Sequence, residues 1–304
     1  MAVGHPITGR EMRVETITFP VAPGVTLQAD RYGPPDGAPV ILLHGGGQTR
    51  WSWKGTAQAL ADAGGQGALA VHAVDMRGHG QSSWCPEGQY GLDHFAQDVR
   101  VLAGMMPAPP VIVGASLGGL SALLACGEEP QAPCAGLVLV DIAPRMEQRG
   151  TNRVGAFMRD TLGGFDTLED AAAAVADYAR NGRRDARPEG LLKNLRQDAD
   201  GRYRWHWDPA FMAAGKSGWD PEVVERRLMA AAARIAAPML IVRGGESDVL
   251  SRETMDHLKQ ALPHIAQAEI AGARHMIAGD DNARFNAAIL PFLQAHAVVH
   301  GGAR

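Results

Sequence analysis

Six short apolar runs, separated by amphipathic segments, constrain the fold of this 304-residue chain more than any other feature. Each run is mostly continuous and ends in Gly, Asp or Ser, as expected of strands that are covered on both faces. The runs are PVILLHG, LAVHAVDMRG, PPVIVGAS, AGLVLVDIAP, PMLIVRGG and AQAEIAG. The Ala- and Leu-rich segments between them carry apolar residues every three or four positions, which indicates helices. The chain is therefore predicted to be an α/β protein with a mostly parallel central sheet and helices on both faces.

Two departures from this alternation define the domain organisation. RVETITFP and VTLQADRYG alternate polar and apolar residues around the turn-like VAPG, which predicts an antiparallel pair at one edge of the sheet. Between residues 144 and 220, helical patterns that include EGLLKNLRQ occur without an apolar run, which indicates an inserted helical cap, or lid. We therefore expect a core domain of residues 1–143 and 221–304, with the cap at 144–220.

Charge and cysteine content narrow the classes of partner. A net charge of -4 with 20% charged residues leaves no basic surplus for nucleic acid or an anionic membrane, so a small-molecule substrate is expected. The three cysteines include no CxxC pair, which argues against a zinc cluster or a disulfide scaffold. No leader-like segment and no stretch of about 18 apolar residues is evident, so we expect a cytoplasmic protein. The oligomeric state is not predicted.

A serine stands at the end of the third apolar run, in the stretch VIVGASLGG at residues 111–119. Gly114 and Gly118 flank Ser116, and a helical pattern follows. A strand, a tight turn and a helix in this order form the setting of a nucleophile elbow, where larger side chains at the glycine positions would collide with the neighbouring strand and helix. A simple turn serine has the same local sequence, but the strand context makes Ser116 the predicted nucleophile.

Ser116 needs a general base, because an alcohol is a weak nucleophile and histidine has a pKa near 7. Among the 11 histidines, His275 stands just past the last apolar run, at the carboxyl edge of the sheet where Ser116 must lie. His44 also ends an apolar run, and we expect it to shape its loop as a hydrogen-bonded structural residue. Three further histidines lack a position at a strand end and are expected at the surface or in the cap: His206, His257 and His264.

A histidine base needs a carboxylate that holds its tautomer and stabilises the imidazolium. Asp248 follows the fifth apolar run and gives the chain order Ser, Asp, His, so it is the predicted acid. Two rivals remain open: Glu246, two residues earlier, and Asp141, which ends the run after the serine.

The oxyanion formed during acyl transfer needs two N–H donors. One is expected from Leu117, the residue after the nucleophile. The second is expected from the loop LLHGGGQTRWSW, where Gly45, Gly46 and Gly47 allow bare backbone to approach a substrate.

These motifs, taken in chain order, resemble the α/β-hydrolase fold superfamily over nearly the whole chain except the cap. They are HGGG at 44–47, DMRGHGQS at 75–82, GASLGG at 114–119, Asp248 and GARHM at 272–276. The chain is most similar to bacterial esterases, non-haem peroxidase-like hydrolases and carbon–carbon bond hydrolases that carry a helical cap. The resemblance implies a Ser116–His275–Asp248 triad, an oxyanion hole from Gly46 and Leu117, no cofactor and no metal. Gly45 or Gly47 takes the place of Gly46 if the loop is shifted.

The resemblance also limits the chemistry. Epoxide hydrolases and haloalkane dehalogenases of this fold use an aspartate where this chain has Ser116, so those activities are disfavoured. The expected activity is hydrolysis of a small, partly apolar carboxylic ester through an acyl-enzyme. A carbon–carbon bond hydrolase of diketone-type ring-fission products shares all of these residues, and a non-catalytic ligand-binding protein of the fold is a third alternative. We expect five side chains to line the pocket: Trp51, Phe157, Met158, Trp205 and Trp207.

Overall fold

The computed structural model describes residues 14–63, 68–178, 188–214, 220–273 and 282–297. The strands are β1 (Glu15–Ala22), β2 (Val25–Tyr32), β3 (Ala38–Leu43), β4 (Leu69–Asp75), β5 (Val111–Ala115), β6 (Gly136–Val140), β7 (Leu195–Gln197), β8 (Tyr203–Trp205), β9 (Met239–Gly244) and β10 (Ile265–Ile270). The described α-helices are α1 (Lys54–Ala63), α2 (Leu92–Gly104), α3 (Leu117–Gly127), α4 (Gln148–Asp160), α5 (Leu168–Tyr178), α6 (Ala210–Ala214), α7 (Pro221–Arg234), α8 (Arg252–Ala261) and α9 (Asn282–His296).

Eight strands form one sheet in the order β1-β2-β4-β3-β5-β6-β9-β10. Strand β2 is antiparallel to β1 and β4, and all other neighbouring pairs are parallel. The predicted α/β class with a mostly parallel sheet is confirmed, as is the antiparallel pair at one edge. Because β3, β5, β6 and β9 are parallel neighbours, their carboxyl ends meet at one edge of the sheet.

Each face of the sheet packs on its own set of helices. Along β3, Ile41 and Leu43 belong to the apolar core on the side of α2, α3, α7 and α8, whereas Val40 and Leu42 belong to the core on the side of α1 and α9. This two-residue alternation of fully buried side chains explains why the strand sequences read as continuous apolar runs. None of the described helices combines the length and the hydropathy that crossing a bilayer requires.

The chain between β6 and β9 departs from the strand-helix alternation, as expected. We call its described residues, 144–178 and 188–214, the cap segment. Besides helices it contains a small antiparallel sheet of β7 and β8, so the helix predicted over EGLLKNLRQ is wrong. The physical reason is tertiary: Phe165 exchanges backbone hydrogen bonds with Tyr203 at 2.8 Å, which holds β8 extended beside β7. The domain boundaries at 144 and 220 stay predictions.

Candidate active site

Ser116 lies at the turn between β5 and α3 in a strained backbone conformation, with φ 46° and ψ -117°. Residues other than glycine rarely adopt positive φ, and such strain clusters at functional sites. The turn is held by the backbone: the Ser116 N–H donates to the Val140 carbonyl at 3.4 Å, and the Ser116 carbonyl accepts from the Leu120 N–H at 3.0 Å. The strand, strained turn and helix around Ser116 have the backbone geometry of the predicted elbow, and the role of Ser116 as the nucleophile stays a prediction.

The glycines beside Ser116 are required by close packing. A Cβ on Gly114 would lie 2.6 Å from the backbone of Gly118, and a Cβ on Gly118 would lie 2.6 Å from the Leu43 carbonyl oxygen. Real Cβ atoms essentially never approach so closely. Helix α3 therefore starts directly against β3 and β5. Its first residue, Leu117, has no N–H partner four residues earlier within the helix.

The glycine loop after β3 lies against Ser116, since a Cβ on Gly45 would be 3.3 Å from the Ser116 Cβ. Two of its three N–H groups are already used. The Gly45 N–H donates to Gln48 Oε1 at 3.0 Å, and the Gly47 N–H donates to His79 Nε2 at 3.1 Å. The Gly46 N–H donates to no acceptor in the part of the chain that the structure describes.

Two buried histidines, His44 and His79, form hydrogen bonds with the glycine loop. His44 contacts the Gly45 carbonyl through Nδ1 at 2.8 Å and accepts from the Met76 N–H through Nε2 at 3.0 Å. His79 contacts the Arg77 carbonyl through Nδ1 at 2.9 Å. Burial lowers the pKa of His44 to about 4 and that of His79 to about 3. Both rings are therefore neutral at pH 7 with the proton on Nδ1, and His44 occupies the structural position that we expected.

The protein is expected to lose stability as the pH falls from 7 to 5. Burial also lowers the pKa of His72 to about 4, so three buried histidines stay neutral in the folded chain while their unfolded counterparts take up protons below about pH 6.5. The loss for each histidine approaches about 1.4 kcal/mol of stability per pH unit once the pH is well below 6.5. Urea unfolding at several pH values measures this slope.

His72→Gln is expected to reduce the slope by about one proton, whereas His257→Gln, a change at an exposed position, is expected to leave it unchanged. A stability that stays constant between pH 7 and pH 5 would contradict this account of the buried rings.

Asp141 directly follows β6 and is the second of the two non-glycine residues with positive φ in the described part of the chain, at 48°. It is fully buried. Its Oδ1 accepts from the Gly244 N–H at 2.8 Å, and its Oδ2 accepts from the Ser247 hydroxyl at 2.5 Å. Because β6 pairs with β5 up to Ala115, Asp141 stands beside the elbow.

Asp248, the acid predicted from chain order, has a different environment. Its side chain is 38% exposed and forms an ion pair with Arg153 of α4 at 2.8 Å. Its backbone carbonyl packs against Gly150 of the same helix. The third candidate, Glu246, lies on the same loop, where its N–H donates to the Ala273 carbonyl at 2.9 Å. The predicted base, His275, lies outside the described residues.

Only some of the expected pocket residues reach the glycine loop. Measured from the position that a Cβ on Gly47 would take, Met158 Cε lies at 3.1 Å and Trp207 Nε1 at 3.6 Å. Phe211, which the sequence reasoning did not single out, lies 3.4 Å from the corresponding position on Gly46. Phe211 could have been predicted from the sequence, because it is an aromatic residue only four positions after the expected pocket residue Trp207.

The other three expected pocket residues pack elsewhere. Phe157 stacks on Tyr178 at 4.4 Å, and Trp205 packs on Phe165 with its Nε1 donating to the Thr161 hydroxyl at 2.9 Å. Trp51 lies beside the Arg50 guanidinium. Among the described residues, no group of three or more His, Cys, Asp and Glu side chains is arranged to hold a metal ion.

The model of the alpha/beta hydrolase family matches residues 40–288 of this chain. The chain is 30% identical to the esterase Rv0045c of Mycobacterium tuberculosis over 244 residues, which are 76% of this chain and 74% of that protein. It is 27% identical to the 3-hydroxybutyrate-oligomer hydrolase of Cupriavidus necator over 248 residues, 78% of this chain and 82% of that protein.

A solved structure of E-2-(acetamidomethylene)succinate hydrolase superposes with a TM-score of 0.78 at 23% identity, covering 92% of this chain and 99% of that one. At this identity the likeness shows the fold alone. The family match and the relatives confirm the resemblance drawn from the motifs. The chain therefore belongs to the alpha/beta hydrolase family and is a carboxylesterase-like hydrolase.

Proposed function

We propose that this protein hydrolyses a small, partly apolar carboxylic ester through an acyl-enzyme formed on Ser116. The observation that carries the proposal is the strained elbow of Ser116 packed against a glycine loop in which the Gly46 N–H donates to none of the described residues. The esterase among the relatives supports the same reaction class. The cap segment, with Met158 and Phe211 at the glycine loop, supplies apolar surface for the substrate.

The reaction requires a base, and we propose His275 for that role from its place after β10. Ser116 Oγ attacks the ester carbonyl carbon while its proton passes to the base. The carbon–oxygen bond to the leaving alcohol then breaks, and the base returns the proton to the alcohol. Water, deprotonated by the same base, attacks the acyl carbon, the bond to Ser116 Oγ breaks, and the base returns the proton to Oγ as the carboxylic acid leaves.

The oxyanion of both tetrahedral intermediates is proposed to accept from the N–H groups of Gly46 and Leu117. Gly45 and Gly47 are poor alternatives because their N–H groups already donate to Gln48 and His79. This elimination supports the glycine that the family resemblance implied. Such donors act strongly because they are oriented before the charge develops.

Of the three candidate acids of the triad, Asp141 and Asp248 are the two whose side-chain partners are described. Chain order favours Asp248, but this side chain is partly exposed and forms an ion pair with Arg153 of the cap segment. Asp141 is fully buried, strained and adjacent to the elbow, which are the features expected of a group that is fixed beside a base. We therefore favour Asp141 and keep Asp248 as the alternative.

The direct test of the proposed function is a substrate panel on the purified protein. We expect hydrolysis of short p-nitrophenyl esters and covalent labelling by a fluorophosphonate on the peptide that contains Ser116. A vinylogous diketone ring-fission product is the comparison substrate. Strong preference for the diketone would replace the ester proposal with carbon–carbon bond hydrolysis, and failure to label would favour a non-catalytic ligand-binding protein.

His79 is proposed to position the oxyanion donor rather than to touch the substrate. Replacing it with leucine removes the acceptor of the Gly47 N–H, so the glycine loop loses its fixed orientation and kcat is expected to fall by about 10- to 100-fold with little change in KM. Steady-state kinetics and the affinity for an alkylboronic acid, which mimics the tetrahedral intermediate, measure this effect.

His79→Gln offers a matched control because its side-chain oxygen can accept the same hydrogen bond. It is expected to recover most of kcat and of the boronic acid affinity. If the leucine and glutamine variants lose kcat equally while both remain folded, the hydrogen bond from Gly47 has no role in positioning the donor.

A further inference from the structure

The indole N–H of Trp207 is a hydrogen-bond donor with no acceptor in the part of the chain that the structure describes. Trp207 is only 3% exposed, yet its Nε1 donates to none of the described residues and is not among the polar atoms that are sealed from solvent. The neighbouring Trp205 contrasts with it, since its Nε1 donates to the Thr161 hydroxyl at 2.9 Å. The residue is buried but its N–H keeps access to solvent, so this donor is available to a bound ligand.

This donor lies close to the glycine loop of the proposed reaction site. Its Nε1 lies 3.6 Å from the position of a Cβ on Gly47, the residue directly after the proposed oxyanion donor Gly46. Consecutive Cα atoms are about 3.8 Å apart, so the indole nitrogen is at most one residue spacing farther from Gly46 than from Gly47. It is therefore near the place where the ester carbonyl would bind. The surroundings are otherwise apolar, with Met158 at Gly47 and Phe211 at Gly46.

Backbone hydrogen bonds and one aromatic neighbour hold Trp207 in place. Trp207 forms a β-bridge with His79, and the flanking backbone groups bond as well: the Gly80 N–H donates to the His206 carbonyl at 2.6 Å, and the Asp208 N–H donates to the Gly78 carbonyl at 2.8 Å. The indole packs edge-on against Phe211. A donor held this firmly is oriented before a ligand arrives, so little ordering cost is left for binding.

We infer that Trp207 is a substrate-binding residue that donates a hydrogen bond to an oxygen on the acyl group, so that the preferred acyl group carries a hydroxyl or a second carbonyl near the ester. This rests on the proposed function. The acyl group is assigned because the carbonyl oxygen held at Gly46 belongs to that half of the ester. A chain of this kind combines apolar carbons, which suit Met158 and Phe211, with a single acceptor.

The test compares p-nitrophenyl 3-hydroxybutyrate with p-nitrophenyl butyrate, which share the leaving group and differ by one hydroxyl. Wild-type protein is expected to prefer the hydroxylated ester by about tenfold in kcat/KM, in line with one hydrogen bond. Trp207→Phe keeps an aromatic, though smaller, ring and loses the donor, and the preference is expected to disappear, because the hydroxylated ester loses more kcat/KM than the butyrate ester.

Trp205→Phe is the matched control: it removes an indole N–H that already has an acceptor, and it is expected to leave the preference ratio unchanged whatever it does to the overall rate. A preference that survives in Trp207→Phe, or that is equally lost in Trp205→Phe, overturns the inference. Wild-type protein that cleaves both esters equally well also overturns it, even if Trp207→Phe fails to fold. Wild-type protein that cleaves neither ester, nor any other of the panel, overturns the proposed function instead.

Discussion

Ser116→Ala is expected to lower kcat for p-nitrophenyl butyrate by about a millionfold, to the level that the oxyanion donors and substrate binding alone provide. The loss is so large because no other group can form the acyl-enzyme. Alanine and serine have the same Cβ, so the strain at φ 46° is unchanged and the variant is expected to unfold at nearly the wild-type urea concentration. Stopped-flow and steady-state assays, with fluorophosphonate labelling of the same samples, measure the loss.

Ser121→Ala provides the control on the same helix. The Ser121 hydroxyl is buried one turn along α3 and donates only to the Leu117 carbonyl at 2.6 Å, so its removal leaves the elbow intact. This variant is expected to be labelled and to hydrolyse esters nearly as well as wild-type protein. Substantial ester hydrolysis by Ser116→Ala would mean that the reaction uses another nucleophile.

The features that the sequence predicted well are those that depend on local pattern. Continuous apolar runs mark strands buried on both faces, and that rule placed β3, β4, β5, β6 and β9. The segment AQAEIAG also became a strand, β10, but at the sheet edge and with its middle side chains not buried. The strand, glycine-flanked serine and helix at residues 111–127 likewise predict the elbow, because its geometry is set within a few residues. By contrast, β7 and β8 are only three residues long and carry no apolar run, and their pairing depends on the distant Phe165.

The choice of oxyanion donor and of triad acid depends on contacts between loops that are distant in sequence. Gly46 is favoured as the donor partly because the Gly47 N–H is bonded to His79, 32 residues away. Chain order favoured Asp248 but excluded neither Asp141 nor Glu246, because all three lie between Ser116 and His275. Only the neighbouring strand ends and the partner of Asp248 separate Asp141 from Asp248.

Asp141→Asn is expected to lower kcat by about 10,000-fold, the cost of losing a carboxylate that orients a histidine base. The amide keeps the size of the side chain but loses the charge that stabilises the imidazolium, so the apparent pKa of the base in the pH profile of kcat/KM is expected to fall. A purely structural role of Asp141 would not move that pKa. Ser247→Ala removes one hydrogen bond to Asp141 without removing the carboxylate, and it is expected to lose far less activity.

Asp248→Asn is expected to reduce kcat by less than about tenfold, since the exposed ion pair that it breaks contributes about 0–1 kcal/mol. If Asp248 serves to hold α4, Arg153→Gln will have a similar effect, and the double variant will lose no more than either single change. The reverse pattern, a 10,000-fold loss in Asp248→Asn with a shifted pH profile and only reduced stability in Asp141→Asn, would assign the triad acid to Asp248. The pH profiles of kcat/KM for Asp141→Asn and Asp248→Asn therefore show which of the two carboxylates is the triad acid.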